Sequence, residues 1–178
     1  MTRNIVTLSA FALATLALPA AQAAPENGAA SAKETIEDVR AQALTIADQS
    51  FRIRMMAEAP NLYGSQGPLL GDLRENVNQM GKDVLQLDAE RDQLAGWEQQ
   101  ALDSVVPLVQ ESATDATKVI EYYNHNRTHP WGPEDAACAQ RVLDASSKIA
   151  STLKYSLKSE SLREQEDKLK GEMSEGTN

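Results

Sequence analysis

Apolar residues recur at alternating intervals of three and four in four separate stretches of this 178-residue chain. A helix with this heptad spacing gathers its apolar side chains into one stripe, which is buried against the stripe of a neighbouring helix. The four stripes, here called the heptad seams, are Ile36, Val39, Ala43, Ile46, Ser50, Ile53 and Ala57; then Leu70, Leu73, Val77, Met80, Val84, Leu87, Arg91 and Leu94; then Leu102, Val105, Val109, Ser112, Ala116, Val119 and Tyr123; and finally Val142, Ala145, Ile149, Thr152 and Ser156.

The heptad seams predict an all-α fold, an antiparallel up-down-up-down four-helix bundle with coiled-coil-like packing. The bundle is expected over residues 33–170, with helices at 33–58, 68–95, 97–125 and 134–169. Two segments rich in helix-breaking residues are predicted to be loops. Residues 60–68 hold two prolines and two glycines, and residues 124–133 hold two prolines and one glycine.

The join between the second and third seams leaves two structures open. The phase of the third seam is shifted by four residues, which one long helix can absorb as a stutter. Alternatively the chain turns at residues 95–97, with Gly96 as a left-handed cap. We favour the turn, because an unbroken helix would be roughly 85 Å long at 1.5 Å per residue. Pro107 is expected to bend the third helix by removing one backbone hydrogen bond.

The first 23 residues have the pattern of a secretory signal peptide. Met1–Asn4 carries one positive charge, Ile5–Leu18 is an uncharged apolar run, and Ala21 and Ala23 form the small–x–small pattern that precedes cleavage. The apolar run is shorter than the ~20 residues that span a membrane. We therefore expect an exported protein, periplasmic or extracellular, with no integral membrane segment once the signal is removed. Residues 24–32 are expected to be a flexible tether and residues 171–178 a disordered tail.

The chain is acidic, with a net charge of −9 that becomes −10 when Arg3 leaves with the signal peptide. This charge disfavours nucleic acid and anionic lipid as partners, since both require a basic surface. Cys138 is the single cysteine, so the chain cannot form an internal disulfide. We expect it to be a small buried residue on an alanine-rich helix face.

The predicted topology brings arginines and aromatic residues to one end of the bundle, where helices 1 and 3 end and helices 2 and 4 begin. One interpretation is a pocket for an anionic or aromatic small ligand, because arginine binds carboxylates and phosphates through paired hydrogen bonds. The other is structural, because cations suit helix C-termini and aromatic residues can plug a bundle end. The residues predicted to bind such a ligand are Arg54, Tyr63, Arg127, Trp131 and Arg141.

Two histidines, His125 and His129, have the spacing of metal ligands on one helix face, and Cys138 or Asp135 could complete a site. The helix is predicted to end at this point, so two exposed loop histidines are the simpler interpretation. Covalent haem requires Cys-x-x-Cys-His, which one cysteine excludes. No cofactor is expected.

The sequence contains no nucleophile with a base and an orienting group, no phosphate-binding glycine loop and no zinc helix, so we do not expect an enzyme. Arg91 is the charged residue on a seam. Its stem is expected to lie along the seam while its charge reaches water, with Glu90 or Glu98 as partner.

Residues 97–110, with the sequence WEQQALDSVVPLVQ, resemble a stretch in uncharacterised exported helical proteins of bacteria. The resemblance covers a small part of the chain and includes no chemical motif. It implies a bacterial, helical, exported protein and carries no activity.

The sequence leaves two functions open. The favoured one is a non-enzymatic bundle that acts by protein–protein contact, as an adaptor, scaffold or holdase-like protein. Its contact surface would be the far end of helix 4, where Leu157, Leu162 and Leu169 could join a second copy or a partner. The alternative is a sensor or carrier of a small ligand at the arginine-rich end.

Overall fold

The computed structural model describes residues 26–57, 66–126 and 133–175. These residues form four helices, α1 (Glu26–Ala57), α2 (Gln66–Ala89), α3 (Gly96–His125) and α4 (Pro133–Glu175). Each helix packs on the next, and α4 closes the square by packing on α1. The predicted all-α four-helix bundle is confirmed. Residues 1–23, predicted to be a signal peptide, lie outside the described part of the chain.

The heptad seams are the core of the bundle. Nearly all of their apolar residues are less than one-tenth exposed, while Tyr123, Thr152 and Ser156 are half-buried at the ends of their seams. The seam interiors are the most deeply buried part, with Ile46, Ile53, Met80, Val119 and Ile149 all 0% exposed. Burial of these side chains is therefore the main contribution to the stability of the fold.

A turn separates α2 from α3, as favoured from the sequence, but its position and chemistry differ from the prediction. Helix α2 ends at Ala89, a short 3₁₀ turn follows over Arg91–Gln93, and α3 begins at Gly96 itself. The prediction that Gly96 is a left-handed cap is wrong, since none of the glycines in the described ranges has a positive φ. The start of α3 is instead capped by Glu98, whose Oε2 accepts a 2.8 Å hydrogen bond from the Ala95 N–H.

Helices α1 and α4 are both longer than predicted. Helix α1 already begins at Glu26, so residues 26–32, expected to be a flexible tether, are helical. Three alanines in this segment favour helix, and Ala32 is buried in the core. Helix α4 continues to Glu175, so residues 171–175 of the expected disordered tail are helical as well. A Lys170–Glu166 ion pair of 2.7 Å supports its last turns.

The far end of α4 projects beyond α3. Trp97, at the start of α3, shares a groove with Tyr155 and Arg163, so the residues of α4 after Arg163 lie past the end of its neighbour. Helix α1 accompanies α4 on the other side, where Lys33 contacts Glu164 at 3.2 Å. Helix α3 runs unbroken through Pro107, which lies on the exposed face. In the described ranges, no helix combines the length and apolar character needed to cross a membrane.

Within the described ranges, three serines lie inside the core, and their hydroxyl groups differ in whether they have a hydrogen-bond partner. Ser112 and Ser146 are both 0% exposed and share a hydrogen bond of 3.3 Å across α3 and α4. Ser50 on α1 is also 0% exposed, and within the described ranges its Oγ has no hydrogen-bond partner. A buried hydroxyl without a partner costs free energy, because it has lost its hydrogen bonds to water.

We expect Ser50→Ala to leave the free energy of unfolding unchanged or to raise it by up to about 1 kcal/mol, because it removes an unsatisfied polar group. The matched variant Ser112→Ala should lower it by about 1–2 kcal/mol, because it leaves the Ser146 hydroxyl buried without its partner. Urea denaturation followed by circular dichroism measures both. Equal destabilisation by the two substitutions would contradict this account of the serines.

Candidate functional site

The structure describes two of the five residues predicted to bind a ligand. Arg54 lies in the last turn of α1 and Arg141 in the third turn of α4, while Tyr63, Arg127 and Trp131 lie outside the described residues. A carboxylate meets the charge of Arg141, whereas Arg54 contacts a neutral amide and an aromatic ring. Within the described ranges, the buried Nε of Arg54 has no hydrogen-bond partner. Each is held by groups of the bundle itself.

Arg54 joins α1 to α4. Its Nη1 donates a hydrogen bond of 2.6 Å to Oε1 of Gln140, and its guanidinium lies 5.6 Å from the centre of the Phe51 ring. Such a cation–π contact is worth about 0.5–1 kcal/mol at an exposed site. Arg54 therefore has a structural partner on each side.

Arg141 joins α4 to α3 through an ion pair with Asp115. Its Nε lies 2.9 Å from Oδ2 and its Nη2 lies 3.0 Å from Oδ1, which is the paired geometry that guanidinium and carboxylate prefer. Nη2 also lies 2.9 Å from Sγ of Cys138, which is buried as predicted. Lys118 adds a second cation to the carboxylate at 3.1 Å. The hydrogen bonds from Arg141 hold the pKa of Asp115 below its usual value, and Lys118 acts in the same direction.

The two arginines point to different sides of α4. Gln140, the partner of Arg54, and Arg141 are adjacent in sequence, yet one faces α1 and the other faces α3. Helices α1 and α3 lie diagonally across the bundle and flank α4 on opposite sides. The structure therefore does not bring Arg54 and Arg141 together around one ligand.

His125 lies exposed at the end of α3, and His129 lies outside the described residues. The Nδ1 of His125 is 2.7 Å from the carbonyl oxygen of Glu121, one turn back. His125 borders an open depression that also includes Asp135 and Cys138. Over residues 26–57, 66–126 and 133–175, no three His, Cys, Asp or Glu side chains are arranged to hold a metal ion.

Arg91 reaches water, as expected, but its partners differ from the predicted ones. It contacts Asp88, at 2.9 Å, and Asp103 on α3. The predicted partner Glu98 instead caps α3 with its carboxylate. The pKa of Arg91 is raised mainly by its hydrogen bond to Asp103.

Within the described ranges, exposed apolar residues lie on α4, on α2 and on α1 (Leu44, Phe51 and Met55). The surfaces on α4 and α2 are candidate contact sites, and the sequence identified the one on α4 in part. The first, the α4 stripe, consists of Tyr155, Leu162 and Leu169, which are 70%, 55% and 59% exposed. Leu157, predicted to belong to this surface, packs against the core instead. Tyr155 was missed, although it lies seven residues before Leu162 and continues the same heptad spacing.

The second surface is a groove between α2 and α3, which the sequence analysis missed. Its volume is about 240 Å³, and Leu85 at its rim is 70% exposed. The signal in the sequence was Gly81, one helical turn before an apolar residue that lies off the seam. The residues that line this α2–α3 groove are Gly81, Val84, Leu85, Asp88, Val106, Val109, Gln110 and Ala113.

No protein-family model, curated protein or solved structure has significant similarity to this chain. The candidate surfaces therefore rest on the geometry of the chain itself.

The Asp115–Arg141 ion pair predicts that the stability of the fold depends on pH. Because the pKa of Asp115 is lower in the folded chain than its ordinary 3.8, the pair stabilises the fold above that pH, and this contribution is lost as the pH falls through the folded value. We expect Asp115→Asn to lower the free energy of unfolding by about 1–3 kcal/mol at pH 7, and this difference from wild type should shrink steadily below about pH 4.

The matched control is Asp103→Asn. Asp103 also pairs with an arginine, but its side chain is 61% exposed, so the substitution should change stability by less than about 1 kcal/mol. Urea denaturation of the three proteins between pH 2.5 and pH 7 provides the comparison. A difference between wild type and Asp115→Asn that persists unchanged to the lowest pH would rule out the ion pair as its source.

Proposed function

We propose that this chain is an exported, non-enzymatic helical bundle that acts by protein–protein contact, as an adaptor, scaffold or holdase-like protein. The contact surface is the α4 stripe, and its occupant is a second copy of the chain. The observation that carries the proposal is the exposure of Tyr155, Leu162 and Leu169 at intervals of seven residues along one helix.

The spacing of the α4 stripe supports a helical partner. Seven residues correspond to about 10.5 Å along a helix, and side chains at this interval stay on one face as two helices wrap around each other. Leu169 lies beyond the end of α3 and Leu162 lies just before that point, and both are more than half exposed, so the described part of the bundle leaves this face of α4 open. A helix docking there would continue the packing of the bundle outward.

The charge of this part of α4 supports a second copy as the partner. Residues 154–173 contain five basic and five acidic side chains, whereas the whole chain has a net charge of −9. Two copies that met through another part of this acidic surface would repel each other. A neutral, mixed-charge segment lets two copies meet without that cost, and a two-fold dimer buries the same surface on both.

The absence of recognisable catalytic patterns in the sequence supports a non-enzymatic role. The ion pair of Arg141 with Asp115 counts against the ligand-binding alternative, whereas the buried Nε of Arg54, which has no hydrogen-bond partner within the described ranges, is compatible with it. The leader pattern supports export, since Ala21 and Ala23 are placed as a signal peptidase requires.

We expect the whole chain to form a weak dimer whose population rises with protein concentration over about 5 to 500 µM, because the α4 stripe offers a small, exposed contact surface. The double variant Leu162→Glu with Leu169→Glu should stay monomeric throughout, because it places charges in the interface. Sedimentation velocity measures both, and deletion of residues 158–178 should have the same effect as the double variant.

The control for this experiment is Leu85→Glu. Leu85 is as exposed as the stripe residues but lies on α2, so this variant should dimerise like wild type. Circular dichroism should give unchanged helix content and melting temperature for all the substitutions. A wild-type chain that is monomeric over the whole range, or a dimer that survives the double variant, contradicts the proposal.

The proposal that the chain is exported can be tested separately. When the chain is expressed in a bacterium, the protein recovered from outside the cytoplasm should begin at Ala24, as measured by intact mass. Ala23→Tyr should retain the leader, because signal peptidase accepts only small residues there. Recovery of the wild-type chain in the cytoplasm with residues 1–23 still attached contradicts export.

A further inference from the structure

The α2–α3 groove is an apolar cleft that runs between two helices on the outer side of the bundle. Leu85 forms one rim, and Val106 and Ala113 lie across from it on α3. Leucine is normally buried in a bundle of this kind, yet Leu85 is 70% exposed. The groove is separate from the α4 stripe and from the arginine-rich end.

Gly81 leaves part of the groove open, because it has no side chain. A Cβ built at Gly81 meets no atom within 4 Å, so the space beside it is open. Glycine inside a helix costs up to about 1 kcal/mol relative to alanine, and the fold gains no contact from it here. The position is therefore available for a side chain supplied by another molecule.

The two helices that form the groove are acidic, and Asp88 is the charged residue that lines it. Residues 66–126, which include both helices of the groove, contain eleven acidic and four basic side chains and so hold most of the negative charge of the chain. At one end of the groove, the carboxylates of Asp88 and Asp103 share the single guanidinium of Arg91. One negative charge at that end is therefore not balanced by this cation.

We infer that the α2–α3 groove binds a cationic amphipathic helix of another protein. An apolar side chain of that helix enters the space at Gly81, beside Leu85 and Val106. Its lysines or arginines face the acidic helices and reach Asp88 at the end of the groove. A second copy of this chain does not fit, because its own α2 and α3 would bring like charge against like charge.

The test uses a synthetic 14-residue amphipathic helix of leucine and lysine, and a second peptide in which glutamate replaces every lysine. Fluorescence anisotropy of the labelled peptides with the whole chain measures binding. The lysine peptide should bind, and its affinity should fall several-fold between 50 and 300 mM salt, because part of the attraction is between exposed charges. The glutamate peptide should bind at least about tenfold more weakly, since like charges oppose it.

In Gly81→Leu, the leucine side chain fills the groove. The effect of this variant on peptide affinity tests whether the peptide binds in the groove. The variant should weaken binding of the lysine peptide at least about tenfold, because the space for the apolar anchor is lost. Its melting temperature should equal or exceed that of wild type, since leucine favours helix and meets open space at this position. The matched control is Gly171→Leu on α4, also at an open position, which should bind the peptide like wild type.

Each outcome decides for or against the inference. Equal binding of the two peptides, or binding of the lysine peptide that Gly81→Leu leaves unchanged, overturns it. Loss of self-association in Gly81→Leu would identify the occupant as a second copy and would also overturn it. The variant Leu162→Glu with Leu169→Glu should bind the lysine peptide normally, so failure of the dimer proposal is distinguishable from failure of this one.

Discussion

Burial of the heptad seams is the interaction on which the rest of this structure depends. The single cysteine provides no internal disulfide, and the described ranges contain no group of three metal-binding side chains in contact. The seams must therefore stabilise the fold by packing alone, with Ile46, Met80 and Ile149 completely enclosed. Their heptad spacing keeps each seam on one face of its helix, and the short connections between successive helices make neighbouring helices antiparallel.

Because the heptad seams bury most of the apolar residues, the apolar residues that stay exposed outside the core can be interpreted as contact surfaces. In a chain with one narrow seam on each helix, a mostly exposed apolar side chain buries little area within the bundle and so contributes little to its stability. Tyr155, Leu162 and Leu169 form one such surface, and Leu85 with Val106 forms another. Their surroundings differ in charge, because the end of α4 is neutral whereas α2 and α3 are acidic. Electrostatics thus selects a different partner for each surface, even though apolar burial drives both contacts.

The arginine-rich end illustrates a limit of reasoning from sequence. The sequence correctly located Arg54 and Arg141 at one end of the bundle, because helix lengths and loops fix the height of each residue. It could not say which way each side chain points around its helix relative to the neighbours. The structure directs Arg54 toward Gln140 and Arg141 toward Asp115, on opposite sides of α4. Asp115 was not singled out from the sequence, because a buried carboxylate and a solvated one look the same in a list of helix residues.

The sequence by itself determined the number of helices, the residues of the core and the presence of a turn between α2 and α3, because each depends on local periodicity and on residues that break helices. The tertiary structure decided the rest. It placed the turn at residues 90–95, where the side chain of Glu98 caps α3. It also decided which off-seam apolar residues stay exposed, since Leu157 is covered by the core whereas Leu162 is not. That difference depends on which way each side chain points relative to the neighbouring helices, and a pattern within one helix contains no information about where its neighbours lie.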